Sequence, residues 1–194
     1  MYPRVCYFVR MPENADTSQH KPDLQVRRLS IDDFPAWQAL RLRALRDHPD
    51  AFGSSYEDAL ASGSAERRGR FEASVSKSDE MSAVFGAVAA DGVLVGTAGL
   101  VRSPGAKVRH KGSLWGMYVA PEARGTGAAP QLVASVLATA REWGLEQVQL
   151  SVVVGNTPAH RLYERAGFVI FGQERHALQL PDGPRDELLM VRWL

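Results

Sequence analysis

The sequence predicts a mixed α/β (α+β) domain in which helices flank a single sheet, and two observations carry that prediction. The chain has 194 residues, of which 45% are hydrophobic and 23% charged, so it is long enough to bury a core. Valine-rich runs bounded by turn residues alternate with amphipathic segments, in the order β-α-α-β-β-β-α-β-α-β-β. Because hairpins are combined with strand-helix-strand units, the sheet is expected to be mixed.

The first half of the chain divides into an arm and the start of the domain. Residues 1–23 are assigned to an N-terminal arm, because Met11–Asp23 is polar, contains two prolines and shows no periodicity. Residues 24–194 are assigned to one domain. Its first elements are a strand (Leu24–Leu29), a helix capped by Ser30 or Asp32 and ending near Asp47, a loop with room for one helical turn (His48–Ser64) and a short charged helix (Ala65–Ser76).

The second half supplies most of the predicted sheet. Turn residues such as Ala90-Asp91-Gly92 separate its valine-rich runs. The predicted strands are Met81–Ala89, Val93–Val101, Lys111–Val119, Gln147–Val154, Phe168–His176 and Glu187–Leu194. Two helices lie between them, over Ala128–Trp143 and from a cap at Thr157 to Gly167.

Composition excludes several classes of protein. The chain carries 23 Lys and Arg against 22 Asp and Glu, and a net charge of +1 argues against a nucleic-acid partner. The single cysteine, Cys6, excludes a disulfide framework, and five scattered histidines argue against a metal site. No stretch approaches the roughly 18 apolar residues of a membrane span, and Val5–Val9 is too short for a signal-peptide core. We expect a cytoplasmic protein that binds neither metal nor membrane.

A glycine-rich turn after the third predicted core strand is the first candidate site. It reads Val119-x-Pro121-x-x-Arg124-Gly125-x-Gly127-x-Ala129 and leads into a helix. Glycines expose backbone N–H groups, and the helix N-terminus adds a positive dipole end, so the turn suits a phosphate or pyrophosphate. The Gly-Lys-Ser/Thr of a P-loop is missing, and Pro130 replaces the third glycine of a dinucleotide fingerprint. A dinucleotide site and an ordinary turn packed with small residues remain as alternatives.

A second constellation follows the next strand and reads Asn156-x-x-Ala159-x-x-Leu162-Tyr163-x-x-x-Gly167-Phe168. The amide of Asn156 can face a ligand that crosses the strand end. Tyr163 is expected beside the apolar face of the helix, with its hydroxyl toward the sheet edge. The structural alternative makes Asn156 a turn former and Tyr163 a core residue with a satisfied hydroxyl.

Together the two segments resemble the GNAT superfamily of acetyl-CoA-dependent N-acetyltransferases, in the acyl-CoA pyrophosphate loop and the motif downstream of it. Every fixed position of both patterns is filled, and the order of elements from Leu24 to Leu194 fits the same fold. The resemblance implies a twisted, mostly antiparallel sheet with splayed central strands. It also implies acetyl-CoA as cosubstrate, with a small-molecule or peptide amine as acceptor, and a monomer or homodimer.

The resemblance also implies roles for particular residues. The pantetheine arm would lie along Met117, Tyr118 and Val119, and Asn156 would hydrogen-bond it. The pyrophosphate would bind the backbone N–H groups of the turn, that is, of Arg124, Gly125, Thr126, Gly127, Ala128 and Ala129. Tyr163 would stand near the thioester sulfur as the catalytic residue.

Direct attack by a neutral amine on the thioester is the expected chemistry, with both substrates held together and no covalent intermediate. A backbone N–H of Met117–Val119 can polarise the carbonyl, and Tyr163 can give a proton or a hydrogen bond to the departing sulfur. The general base stays open among His110, Glu57, Asp58 and His160. Two other functions remain as alternatives: a non-catalytic acyl-CoA-binding sensor or partner module, and a nicotinamide-dependent protein.

Overall fold

The strands and helices follow the predicted order in a computed structural model that describes residues 24–76 and 80–194. Those residues form the strands β1 (Leu24–Arg28), β2 (Ser82–Ala89), β3 (Leu94–Arg102), β4 (Lys111–Val119), β5 (Gln147–Val153), β6 (Val169–Leu180) and β7 (Gly183–Trp193). The helices are α1 (Phe34–Asp47), α2 (Tyr56–Ala61), α3 (Ser64–Val75), α4 (Ala128–Glu142) and α5 (Thr157–Arg165). The predicted arm, residues 1–23, lies outside the described residues.

One sheet holds all these strands, in the order β1-β2-β3-β4-β5-β7-β6. Every neighbouring pair is antiparallel except β4 and β5, which run parallel. These two strands pair only over Lys111–Ser113 and Gln147–Gln149. Beyond that point β4 continues with β3 to Val119, while β5 continues with β7 to Val153. The central strands therefore diverge and leave a wedge, which confirms the predicted mostly antiparallel sheet with splayed central strands.

A β-bulge interrupts β4 where the wedge opens. Trp115 faces Gly99 and Tyr118 faces Thr97, so Gly116 and Met117 together oppose one residue of β3. Gly116 takes a φ of +62°, which a glycine adopts without strain. The extra residue shifts the alternation of side chains, so Trp115 and Tyr118 both pack in the clusters on the α1 side, whereas Met117 packs on the α4 side.

Helices cover both faces of the sheet. On one face α4 contacts β1 to β5, and the main core lies beneath it, with Leu132, Val133 and Val136 almost fully buried. On the other face α1 contacts β3 and α3 contacts β2. There Phe71 packs against Trp37 and Phe34, with ring centroids 4.6 and 5.7 Å away.

Three boundaries differ from the sequence-based expectation. The predicted loop from His48 to Ser64 contains α2, whose N-terminus is capped by the Ser55 hydroxyl accepting from the Asp58 N–H at 2.9 Å. The cap of α5 is Asn156 rather than Thr157. Strands β6 and β7 are longer than predicted, because a register shift between Glu174 and Leu178 breaks the alternation that marks a strand in sequence.

None of the helices in the described part of the chain combines the length and apolar character that crossing a membrane requires.

Candidate active site

The glycine-rich turn joins β4 to α4, as predicted. A short 3₁₀ turn over Pro121–Ala123 is followed by Gly125, with a φ of +80°, and Gly127, with a φ of +92°. Both values lie in the left-handed region, which explains why glycine occupies these positions. Open space surrounds the position that a Cβ of Gly125 would take. The backbone of the turn can therefore be approached closely by a ligand.

The N-terminus of α4 presents unpaired donors beside this turn. The first N–H groups of any α-helix lack an intrahelical acceptor, and here they belong to Ala128 and Ala129. The Thr126 hydroxyl donates to the Ala123 carbonyl at 2.8 Å and holds the turn in shape. The dipole of a helix of 15 residues adds partial positive charge at the same point. The arrangement suits an anion such as pyrophosphate.

An ion pair attaches this turn to α1, and a hydrogen bond attaches it to the loop after α1. Arg43 donates through both terminal nitrogens to the Glu122 carboxylate, at 2.6 and 2.9 Å. Arg124 donates to His48 Nε2 at 2.9 Å, and to the Val119 carbonyl at 3.4 Å. Since a guanidinium only donates, the Nε2 of His48 is the acceptor. Sequence reasoning missed His48, because no local motif joins it to a turn 76 residues later.

Asn156 stands at the end of β5, where the sequence placed it. Its Oδ1 accepts from the Ala159 N–H at 3.3 Å and caps α5, so the structural role considered for it is real. The residue also lines a cleft of about 410 Å³, together with His48, Val153 and Arg185. Since His48 also contacts Arg124 and packs near the Tyr118 ring, the cleft lies beside the diverging ends of β4 and β5.

Tyr163 lies at the centre of the buried face of α5, so the expectation that it sits beside that face is wrong. The residue is 5% exposed, and its ring makes an edge contact with Phe168 at 5.8 Å. Met117 and Val119 pack against the same core cluster. Burial raises the pKa of the Tyr163 hydroxyl above its usual value. The hydroxyl makes no hydrogen bond to any residue of the described ranges, unlike the satisfied core tyrosine that was the alternative.

A larger pocket, of about 510 Å³, opens on the α1 side of β4. We call it the α1–α3 pocket, and its lining residues come from α1, α3, the segment between them and one position of β4. Aromatic walls are supplied by Trp37, Phe71 and Trp115. The charged residues that line it are Arg41, Arg67, Arg70 and Asp58. Of these only Asp58 was singled out from sequence, because isolated charges on helices look solvated until their packing is known.

The candidate general bases are scattered. His110 precedes β4 at the end where β4 and β5 are paired, so it stands about 23 Å along the strand from Met117 and about 30 Å from Val119. His160 Nε2 lies 3.8 Å from a Glu164 oxygen on the surface of α5. Glu57 is exposed on α2, and Asp58 lines the α1–α3 pocket. Asp58 shares this pocket with Trp115 of β4.

In residues 24–76 and 80–194, no three His, Cys, Asp or Glu side chains are grouped so that they could hold a metal ion.

Comparison with known proteins agrees with this geometry. Residues 34–168 match the acetyltransferase (GNAT) family. An uncharacterized N-acetyltransferase of Mycobacterium tuberculosis is 38% identical over 104 residues, which are 54% of this chain and 63% of that protein. This chain therefore spans less than two thirds of the length of the mycobacterial relative that it matches.

Solved structures share the fold. The acetyltransferase of GNAT family from Streptococcus pneumoniae superposes with a TM-score of 0.78 at 22% identity, covering 89% of this chain and 100% of that one. A putative acetyltransferase from Salmonella typhimurium, solved with its cofactor acetyl-CoA, gives a TM-score of 0.76 at 19% identity, over 89% and 94% of the two chains. At these identities the structures bear on the fold alone.

The family match runs through β4, the glycine-rich turn, β5 and α5, which form the wedge and its surroundings. The sequence resemblance, the splayed sheet and the matched region therefore agree, and the chain belongs to the acetyltransferase (GNAT) family.

Proposed function

We propose that the protein transfers an acetyl group from acetyl-CoA to a primary amine, by direct attack within a ternary complex. The observation that carries this proposal is the edge of β4 that faces the wedge and leads straight into the glycine-rich turn. Between Ser113 and the end of the strand at Val119, no strand of the described part of the chain pairs with β4 on the side of β5. An extended ligand arm can therefore hydrogen-bond to Met117, Tyr118 and Val119 as an added strand would.

Besides the edge of β4, two other places would hold the cofactor's phosphates and arm. The N–H groups from Arg124 to Ala129 would receive the pyrophosphate at the α4 N-terminus. Asn156 would hydrogen-bond the pantetheine from the opposite side of the wedge. The fit is supported by the left-handed glycines of the turn and by the open space at Gly125.

The chemistry needs a polarised carbonyl, a neutral amine and a proton for the leaving group. A β4 N–H beside the wedge would hydrogen-bond the thioester oxygen. The amine nitrogen forms a bond to the carbonyl carbon, the carbon–sulfur bond breaks, and the sulfur takes a proton from the Tyr163 hydroxyl, which regains one from solvent. Because burial raises the pKa of Tyr163, the hydroxyl carries its proton at neutral pH and is available to donate it, or a hydrogen bond, to the sulfur. The ammonium loses its own proton to water or to a carboxylate such as Asp58.

Replacing Arg124 with alanine should weaken coenzyme A binding by about 1–3 kcal/mol, the range for losing a charge-assisted hydrogen bond. Titration calorimetry on both proteins measures the difference. Pantetheine, which lacks the pyrophosphate, is the matched ligand and should bind both proteins alike. The same gap with both ligands would mean that Arg124 acts by holding His48 and β4 in place.

The proposal is tested by incubating the protein with acetyl-CoA and a panel of primary amines, and by identifying the products by mass spectrometry. An N-acetylated amine supports transfer. Cofactor bound but never consumed would indicate the sensor function instead. Tighter binding of NAD than of coenzyme A would favour the nicotinamide-dependent alternative and contradict the assignment of the turn.

A further inference from the structure

We propose that the α1–α3 pocket receives the acceptor amine and that Arg41 recognises a carboxylate or phosphate group on it. This inference rests on the acetyltransferase function proposed above and adds the class of acceptor: an amine that also carries an anionic group. The pocket, of about 510 Å³, has the size of a typical small-molecule site.

Arg41 differs from the other arginines of α1, because no carboxylate of the described residues pairs with it. Arg43 pairs with Glu122 at 2.6 Å, and Arg46 pairs with Asp47 at 2.8 Å. Within residues 24–76 and 80–194 no carboxylate lies within 4 Å of the Arg41 guanidinium, and its Nη1 is buried without a hydrogen-bond acceptor. The guanidinium carbon lies 4.6 Å from the centroid of the Phe52 ring.

An unpaired guanidinium in such a place is costly to the fold. Burial without a compensating charge or acceptor is unfavourable, and it lowers the pKa of Arg41 to about 10. The side chain nevertheless stays protonated at neutral pH. An anionic ligand group would supply the missing counter-charge, and the planar guanidinium matches the two oxygens of a carboxylate or phosphate.

The rest of the pocket carries a surplus of positive charge. Arg67 donates to the carbonyls of Ala59 and Ser62, so it holds the segment between α2 and α3 while keeping its charge. Arg70 lies at the exposed rim, 3.3 Å from Glu66. Asp58 is the one carboxylate among the pocket's lining residues. A polycationic amine would meet these guanidinium groups unfavourably, so the pocket favours an anionic acceptor over a polyamine.

The pocket's position connects it to the proposed reaction. Trp115 lines the pocket, and Met117 follows it by two residues, about 7 Å along the strand. The bulge between these residues places Trp115 on the α1 side and Met117 on the α4 side of the sheet. An acceptor in the pocket would therefore approach the wedge from the face opposite to α4.

The test uses acceptors matched in all but the anion: phenylalanine with phenethylamine, and phosphoethanolamine with ethanolamine, with spermidine as a polycation. The release of coenzyme A gives kcat/KM for each. We expect the wild type to favour the anionic member of at least one pair by about 10- to 100-fold, the range for a hydrogen bond to a charged group. A preference for phenylalanine over phenethylamine indicates that the pocket recognises a carboxylate. A preference for phosphoethanolamine over ethanolamine indicates that it recognises a phosphate.

The variant Arg41→Gln should bring that preference close to one, while Arg46→Gln on the same helix should keep it. The melting temperature of Arg41→Gln should not fall, because the substitution removes an unpaired buried charge. A preference that survives in Arg41→Gln, or a wild type that favours spermidine, would overturn the inference and leave the acetyltransferase function standing.

Failure of the proposed function has a different signature, since no amine would then release coenzyme A. A separate experiment measures binding to the pocket without acetyl-CoA. Its readout is the rise in melting temperature that the anionic amines produce. A rise in the wild type that is lost in Arg41→Gln supports recognition by Arg41. The same response in both proteins, or none in either, contradicts it.

Discussion

The variant Gly127→Val should lose coenzyme A affinity by at least about 100-fold. Gly127 caps α4 with a φ of +92°, and its N–H neighbours are the donors assigned to the pyrophosphate. A side chain there fills the space of a phosphate and pushes the backbone away from the left-handed region. Losing two charge-assisted hydrogen bonds, at about 1.5–3 kcal/mol each, accounts for the expected loss. Titration calorimetry with coenzyme A measures it.

The substitution Gly127→Val strains the backbone and also disturbs the binding site, so a control variant must show the effect of strain alone. Gly92, in the turn between β2 and β3, has a φ of +84° and open space around the position of a Cβ. Gly92→Val therefore carries a similar conformational penalty, about 1–2 kcal/mol or somewhat more for a β-branched residue, far from the ligand. We expect both variants to melt at lower temperature and only Gly127→Val to lose binding. Wild-type affinity in a folded Gly127→Val protein would contradict the role of the turn.

Tyr163→Phe should lower the rate of transfer by about 100-fold while leaving acetyl-CoA affinity nearly unchanged. Loss of a general acid costs about 10²–10⁴-fold, and the lower end applies because a thiol with a pKa near 8.5 is already a fair leaving group. The hydroxyl makes no hydrogen bond within the described ranges, so its removal should not lower the melting temperature. Steady-state kinetics and thermal melts on the variant measure both effects.

The pH dependence of the rate gives an independent check on Tyr163. Burial raises its pKa, so the group stays protonated up to and beyond pH 10. The rate should therefore show no decline from tyrosine ionisation below that pH. Tyr56→Phe, on α2, is the control and should keep the wild-type rate. Unchanged turnover in Tyr163→Phe, with a lower melting temperature, would show that this tyrosine serves only the core.

Local patterns predicted most of the fold. The valine-rich runs located the central strands, and the left-handed glycines of the turn could be read from their spacing. Two elements could not be found this way. Helix α2 is a short segment next to Gly53 and two serines, and its cap is an ordinary Ser55. The full length of β6 is hidden by the irregularity near His176, which has a φ of +52°.

The candidate site was predictable only where its residues are close in sequence. The turn and the segment from Asn156 to Tyr163 form continuous motifs, so their position was readable. The α1–α3 pocket brings together residues such as Trp37, Arg67 and Trp115, which only the packing of two helices on β4 makes neighbours. A lone arginine within a helix gives no signal of burial, because most such residues are solvated.

The central claim is that this protein consumes acetyl-CoA because an amine attacks it. The most direct measurement is the rate at which free coenzyme A thiol appears, with and without each amine of the panel. The account predicts release that depends on an amine and matches the N-acetylated product one for one. Saturable acetyl-CoA binding with no amine-dependent release, across carboxylated, phosphorylated, neutral and cationic amines, would contradict it.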